Sequence, residues 1–165
     1  MAQIFISLGS SIKRKYHVKQ GIYSLANSFS ISLDKLTLSS LFESEAVGFT
    51  GENFYNMVIG VQCSYSVEEV ATILKDIESL FGRPKNAKKF SPRTLDLDLL
   101  LYDDLIINTP AQLPRDEINE NAFVLWPLSE VAPEVIHPIL NINYATLWKN
   151  YNKQSQHIKR IPNCW

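Results

Sequence analysis

The chain has 165 residues, 45% of them hydrophobic and 20% charged, which is enough for one packed core (residues 1–165) and too little length to expect two. With 16 basic against 17 acidic residues the net charge is -1, which excludes a general attraction to nucleic acid or to anionic membrane and leaves any anion site to local clustering. Cys63 and Cys164 form no CxxC or metal spacing, the opening MAQIFISLGSS has no basic, long apolar leader, and no apolar run approaches a membrane span, so a cytoplasmic protein is expected.

In chain order, Gln3 to Leu8 reads as a strand ending at Gly9, and Val18, Ile22, Leu25 and Phe29 repeat behind it at helical spacing. Alternation returns from Leu33 to Glu45, and again from Phe54 to Tyr65 through Tyr55, Met57, Ile59, Val61 and Cys63, predicting two strands joined across the turn-rich VGFTGEN. Ser66 with Glu69 forms a capping box, and the stripe Val67, Val70, Leu74, Ile77, Phe81 runs until Gly82 stops the helix. A strand containing Asp96 and Asp98 follows. The order β-α-β-β-α-β predicts an α+β, ferredoxin-like plait: an antiparallel sheet with both helices on one face and the other face open to a ligand. Beyond Tyr102 the pattern suggests C-terminal decoration: a short strand at Leu105–Ile107, a packed turn at Phe123–Leu128, a helix at Tyr144–Tyr151 and an edge strand at His157–Ile161.

In "LDLDLLLY", Leu95, Leu97, Leu99 and Leu101 share one parity and Asp96, Asp98 and Leu100 the other, so an extended chain puts both carboxylates on one face, about 7 Å apart. Two like charges beside a packed sheet call for a cation between them, unless that face simply meets water. Just upstream, "GRPKNAKKFSPR" crowds Arg83, Lys85, Lys88, Lys89 and Arg93 into one loop. Paired aspartates hold Mg²⁺, Mg²⁺ is shared with substrate phosphates, and Arg and Lys neutralise the remaining phosphate charge, so the combination describes a polyphosphate site. No GxxxxGK[ST] or GxGxxG is present. Phe54, Phe90 and Phe123 are candidates for stacking a flat heterocycle, with core packing as the alternative for Phe54 and Phe123; Asn56 could bond a heterocycle's edge or cap a strand end.

The blocks "LGSS", "FYNMV", "IESLFGRPKNAKKFSPRTLDLDLLLYDD" and "AFVLWPLSEVAPEVIHP" resemble, in order and spacing, the 6-hydroxymethyl-7,8-dihydropterin pyrophosphokinases of folate biosynthesis. The resemblance implies transfer of pyrophosphate from ATP to the hydroxymethyl group of the pterin, leaving AMP. It implies that Asp96 and Asp98 hold two Mg²⁺ bridging the ATP phosphates, and that Arg83, Lys85 and Arg93 grip those phosphates. Lys75 and Glu78 would lie towards the nucleotide. Ser44, Val47, Phe54, Asn56, Phe90 and Phe123, with Asp96, would line the pterin pocket. The partners are then ATP and a reduced pterin, with no nucleic acid, membrane or obligate protein partner.

The sequence departs from the family pattern in places. Glu45-Ala46 stands where two prolines are usual, Phe90 where tryptophan is, and Lys85 where arginine is. Pro114-Arg115 replaces a Pro-His pair, and Asn121 an arginine; Arg115 is the candidate to return the missing charge to the ATP site. A slow or altered-substrate member of the family is therefore the second reading. An RNA-binding plait is the third, opposed by the missing aromatic KGFGFV-type strand and by the two aspartates.

Overall fold

The computed structural model describes residues 1–45, 52–82 and 94–165. The elements are β1 (Ala2–Ser10), α1 (Arg14–Ser28), β2 (Thr37–Leu38), β3 (Leu41–Ser44), β4 (Phe54–Cys63), α2 (Val67–Leu80), β5 (Asp96–Tyr102), α3 (Glu117–Glu120), α4 (Ala122–Val131), α5 (Tyr144–Asn150) and β6 (Ile158–Ile161). The sheet runs β5-β1-β4-β3-β6, with β2 also pairing with β4, and every pairing is antiparallel. This is the order of a ferredoxin-like plait with one added edge strand. The second strand expected over Leu33–Glu45 is broken: Leu33–Lys35 is a 3-10 turn, and only Thr37–Leu38 and Leu41–Ser44 pair.

Local chemistry sets α2. The amide of Glu69 donates to Ser66 Oγ at 3.2 Å while Glu69 Oε1 accepts from the Ser66 amide at 3.0 Å, and Glu68 and Glu69 put negative charge on the first turn. Gly82, at φ +90°, ends the helix in a conformation that penalises a side chain. Val67, Val70, Leu74 and Ile77 are buried with Val18, Ile22 and Leu25 of α1 against Ile4, Ile6, Leu8, Met57, Ile59, Leu97 and Leu99. At Gly21 the backbone of α1 comes so close to the sheet that a Cβ would lie 2.8 Å from Leu8 Cδ1.

The opposite sheet face is not wholly open, which corrects the sequence expectation. Phe5, Val58 and Leu100 form a second core there with Ile118, Val124, Leu125, Leu128 and Tyr144. The expected turn at Phe123–Leu128 is in fact part of α4, helical despite Pro127 inside it, because Val124, Leu125 and Leu128 are buried in that core. Phe42 of β3 packs on Trp126 of α4 (ring centroids 4.7 Å), and Trp126 stacks on Trp148 of α5 at 5.1 Å. A register shift opposite Phe5/Ile6 sends Leu101 to this second face as well, so Leu101 does not share the surroundings of Leu95, Leu97 and Leu99. Leu105–Ile107 forms no strand beyond a single bridge from Ile107 to Leu113. The expected last strand forms at Ile158–Ile161, beside β3. Among the described residues, no helix is long and apolar enough to cross a membrane.

Candidate active site

The second core covers only part of its sheet face. In one row, Asp96 pairs with Gly9, Gly9 with Asn56, and Asn56 with Phe42; two residues along, Phe54 pairs with Ser44. Residues paired across a sheet share a face, so Asp96, Asp98, Asn56, Phe54 and Ser44 all project from the side that α4 leaves unfilled. Among these, Asn56 Nδ2 donates to Ser44 Oγ at 2.7 Å, and both side chains are buried. Gly9 lies between the amide and the carboxylates. A Cβ there would stand 3.2 Å from Asn56 Oδ1 and 3.7 Å from Phe54 Cδ1, so the missing side chain keeps the floor of the face at backbone level.

Asp96 and Asp98 are both half-buried on β5, an edge strand of the sheet. Between them, the amide of Leu97 points away from β1 and donates to Glu78 Oε2 at 2.8 Å. Glu78 is buried, and an intramolecular hydrogen bond of this kind contributes about 1 kcal/mol. Its carboxylate thus holds the strand that carries both aspartates, a positioning role that the expectation of a nucleotide-facing Glu78 did not include. Lys75, one turn earlier on α2, is exposed.

Arg115 enters from the chain leading into α3. Its backbone amide donates to the Leu100 carbonyl at 3.1 Å, which lays this segment along β5. Its Nη2 then reaches Asp98 Oδ1 at 3.4 Å and Glu117 Oε1 at 3.3 Å. Burial, and next the charge of Asp96, push the Asp98 carboxyl up to about 7 from its ordinary 3.8, against the opposing pull of Arg115. The pull of Arg115 on Asp98 therefore does not outweigh burial and the neighbouring carboxylate. Among the described residues no group of three or more His, Cys, Asp or Glu side chains could hold a metal ion. Two carboxylates on one sheet face, both oxygen donors, fit Mg²⁺.

The raised Asp98 carboxyl has a consequence for stability. The folded protein holds this proton more tightly than the unfolded chain does, so the contribution is most favourable below about pH 4 and is lost as pH rises towards about 7. Without metal or nucleotide, Asp98→Asn should therefore raise the melting temperature relative to the parent at about pH 8 and give little or no gain at about pH 4. Thermal melts across that range check this, and a gain independent of pH would contradict it.

The remaining expected residues are placed as follows. Phe123 is half-buried on α4 against the second core, and Phe54 is half-buried at the start of β4. Asn121, which stands where the resemblance leads one to look for arginine, has its Oδ1 bonded by Gln156 Nε2 at 3.0 Å, while Gln156 Oε1 accepts from the Ala122 amide at 2.7 Å. Val47, Arg83, Lys85, Lys88, Lys89, Phe90 and Arg93 lie outside the described residues. Gly9 was not singled out by the sequence; its signal was the "LGSS" block itself, too short to interpret until the register showed that it pairs with both Asn56 and Asp96.

Fold and chemistry together are those of an ATP-dependent diphosphotransferase on a ferredoxin-like frame. The model of the family described as 7,8-dihydro-6-hydroxymethylpterin-pyrophosphokinase matches residues 5–133. A 2-amino-4-hydroxy-6-hydroxymethyldihydropteridine pyrophosphokinase of Aquifex aeolicus (strain VF5) is 34% identical over 142 residues, covering 84% of this chain and 86% of the relative. The enzyme of the same name from Bacillus subtilis (strain 168) is 31% identical over 134 residues, covering 79% and 78%. Among solved structures, wild-type Plasmodium falciparum HPPK-DHPS superposes with a TM-score of 0.67 at 14% identity, over 97% of this chain but only 48% of that longer one, a likeness of fold. The chain belongs to the 7,8-dihydro-6-hydroxymethylpterin-pyrophosphokinase family, folate-biosynthesis enzymes that transfer pyrophosphate from ATP to the hydroxymethyldihydropterin.

Proposed function

We propose that this transfer takes place on the part of the sheet face beside the second core, with the pterin over Ser44, Phe54 and Asn56 and the triphosphate at Asp96 and Asp98. The observation that carries the reading is the single row Asp96–Gly9–Asn56: the polar group suited to a heterocycle's edge and the carboxylates suited to a cation are separated by a residue with no side chain, so two ligands can meet above it.

In this reading Asp96 and Asp98 hold two Mg²⁺, which when bound neutralise the triphosphate. Arg83, Lys85 and Arg93, which flank Asp96 in sequence, add positive charge for the phosphates, and Phe90 and Val47 complete the pterin pocket. Phe54 and Phe123 contribute ring faces to the heterocycle, and Lys75 stands at the nucleotide side. The hydroxymethyl oxygen attacks the β-phosphorus, the bond from that phosphorus to the oxygen bridging to the α-phosphate breaks, AMP departs with the bonding electrons, and the hydroxyl proton is released. The residues contribute alignment and charge neutralisation, the main requirements of phosphoryl-type transfer. A cytoplasmic location, with ATP and the reduced pterin as the substrates, belongs to the same reading.

Phe54→Ala and Phe123→Ala should each weaken pterin binding by about 1 kcal/mol, the order of a lost aromatic contact, and leave the affinity for an ATP analogue nearly unchanged. Calorimetric titration with each ligand separately is the check. Equal losses for both ligands would mean that the substitutions damage the cores and that the pocket assignment is wrong.

A further inference from the structure

We propose that Arg115 acts as an internal counter-ion: without nucleotide its guanidinium occupies the cation-facing side of Asp98, and the incoming divalent ion displaces it onto the phosphates. The proposal rests on the reading of Asp98 as a metal ligand. Its own basis is the manner in which Arg115 is held. The Nη2 nitrogen is shared between Asp98 Oδ1 at 3.4 Å and Glu117 Oε1 at 3.3 Å, both longer than the roughly 2.7–2.9 Å of a well-formed charged hydrogen bond. Its Nε is buried and, among the described residues, has no hydrogen-bond partner. An arginine in its final position would use its fork of donors on one carboxylate; this one spreads a single nitrogen over two and leaves a donor unused.

The backbone of Arg115 is anchored independently, through its amide on the Leu100 carbonyl, so the side chain can swing without moving the segment. Exchange is favourable in one direction. A divalent ion places twice the charge between Asp96 and Asp98, and phosphate oxygens offer the released guanidinium a bidentate acceptor in place of the single Asp98 oxygen it reaches here. Glu117 keeps the side chain beside the site during the exchange. The device disfavours a bare ion at Asp98 and favours one that arrives with a polyphosphate, so metal and nucleotide bind cooperatively.

The test titrates Mn²⁺ as the probe, read by electron paramagnetic resonance, into the parent and variants first without nucleotide and then with a non-hydrolysable ATP analogue. Arg115→Met should bind Mn²⁺ alone about tenfold more tightly than the parent, the low end of what a neighbouring charge does to a carboxylate. It should also bind the analogue with Mn²⁺ more weakly than the parent. Glu117→Gln, which leaves the guanidinium to Asp98 alone, should weaken Mn²⁺ binding, and this second variant serves if Arg115→Met does not fold. If Asp98→Asn lowers Mn²⁺ affinity but Arg115→Met and Glu117→Gln leave it unchanged, the counter-ion role is overturned and the metal reading stands. If Asp98→Asn has no effect on Mn²⁺ binding, the metal reading itself falls and the counter-ion role with it.

Discussion

Asp96→Ala and Asp98→Asn are each expected to lower kcat for pyrophosphate transfer about a thousandfold or more, since one bound cation supplies several kcal/mol of charge stabilisation and each 1.4 kcal/mol is tenfold. The fold should survive both changes. The strand that carries the two aspartates is held by its ladder to β1 and by Glu78 on the Leu97 amide, neither of which uses an aspartate side chain. Asp98→Asn also removes a carboxyl that burial and Asp96 already disfavour in its ionised form. Steady-state kinetics with saturating ATP and pterin, alongside thermal melts, separate the two effects. A variant that melts no lower than the parent and turns over within tenfold of it would remove the carboxylates from the chemistry.

Gly9→Val is the second large effect. Valine suits a strand, so β1 should still form. Its side chain, however, would begin 3.2 Å from Asn56 Oδ1, in the row that separates the amide from Asp96, and the branched methyl groups would rise into the space where the two ligands meet. Overpacking of this kind costs about 1–3 kcal/mol, and here most of it should appear in ligand binding: about a hundredfold loss of pterin affinity, with a fall of only a few degrees in melting temperature. Gly9→Ala should show the same pattern more weakly. An unchanged KM for pterin in the valine variant would mean that the ligands do not cross this part of the sheet.

These residues also mark where sequence reasoning succeeds and where it stops. The α2 boundary was legible because the Ser66–Glu69 box and Gly82 are local chemistry, each acting within one turn. The shared face of Asp96 and Asp98 was legible for a similar reason, since strand parity needs no knowledge of the partner strand. Second-face burial was harder. In β4 the residues of both parities are buried, including Val58, and the alternation through Met57, Ile59 and Val61 described only the half that faces α1 and α2. Pro127 disguised α4 as a turn because a proline removes a helical hydrogen bond whatever the packing around it, and the packing decided the outcome. The Leu101 error came from a bulge, which shifts parity by one residue and leaves no mark in composition. Arg115 and Asp98 are brought together by one backbone hydrogen bond to Leu100, and Asn121 and Gln156 by the return of the C-terminal segment. Such meetings depend on tertiary path, which periodicity does not encode. Asn121 is accordingly engaged with Gln156, a partner 35 residues away in sequence.

The most direct measurement supplies the parent protein with ATP labelled at the β-phosphorus, the hydroxymethyldihydropterin and Mg²⁺, and follows the label by chromatography. Attack at the β-phosphorus predicts that the label moves wholly to the pterin diphosphate as unlabelled AMP appears in equal amount, and that both products vanish when Asp96 and Asp98 are replaced together. Label retained in ADP beside a pterin monophosphate, or transfer that persists in the doubly substituted protein, would contradict the account.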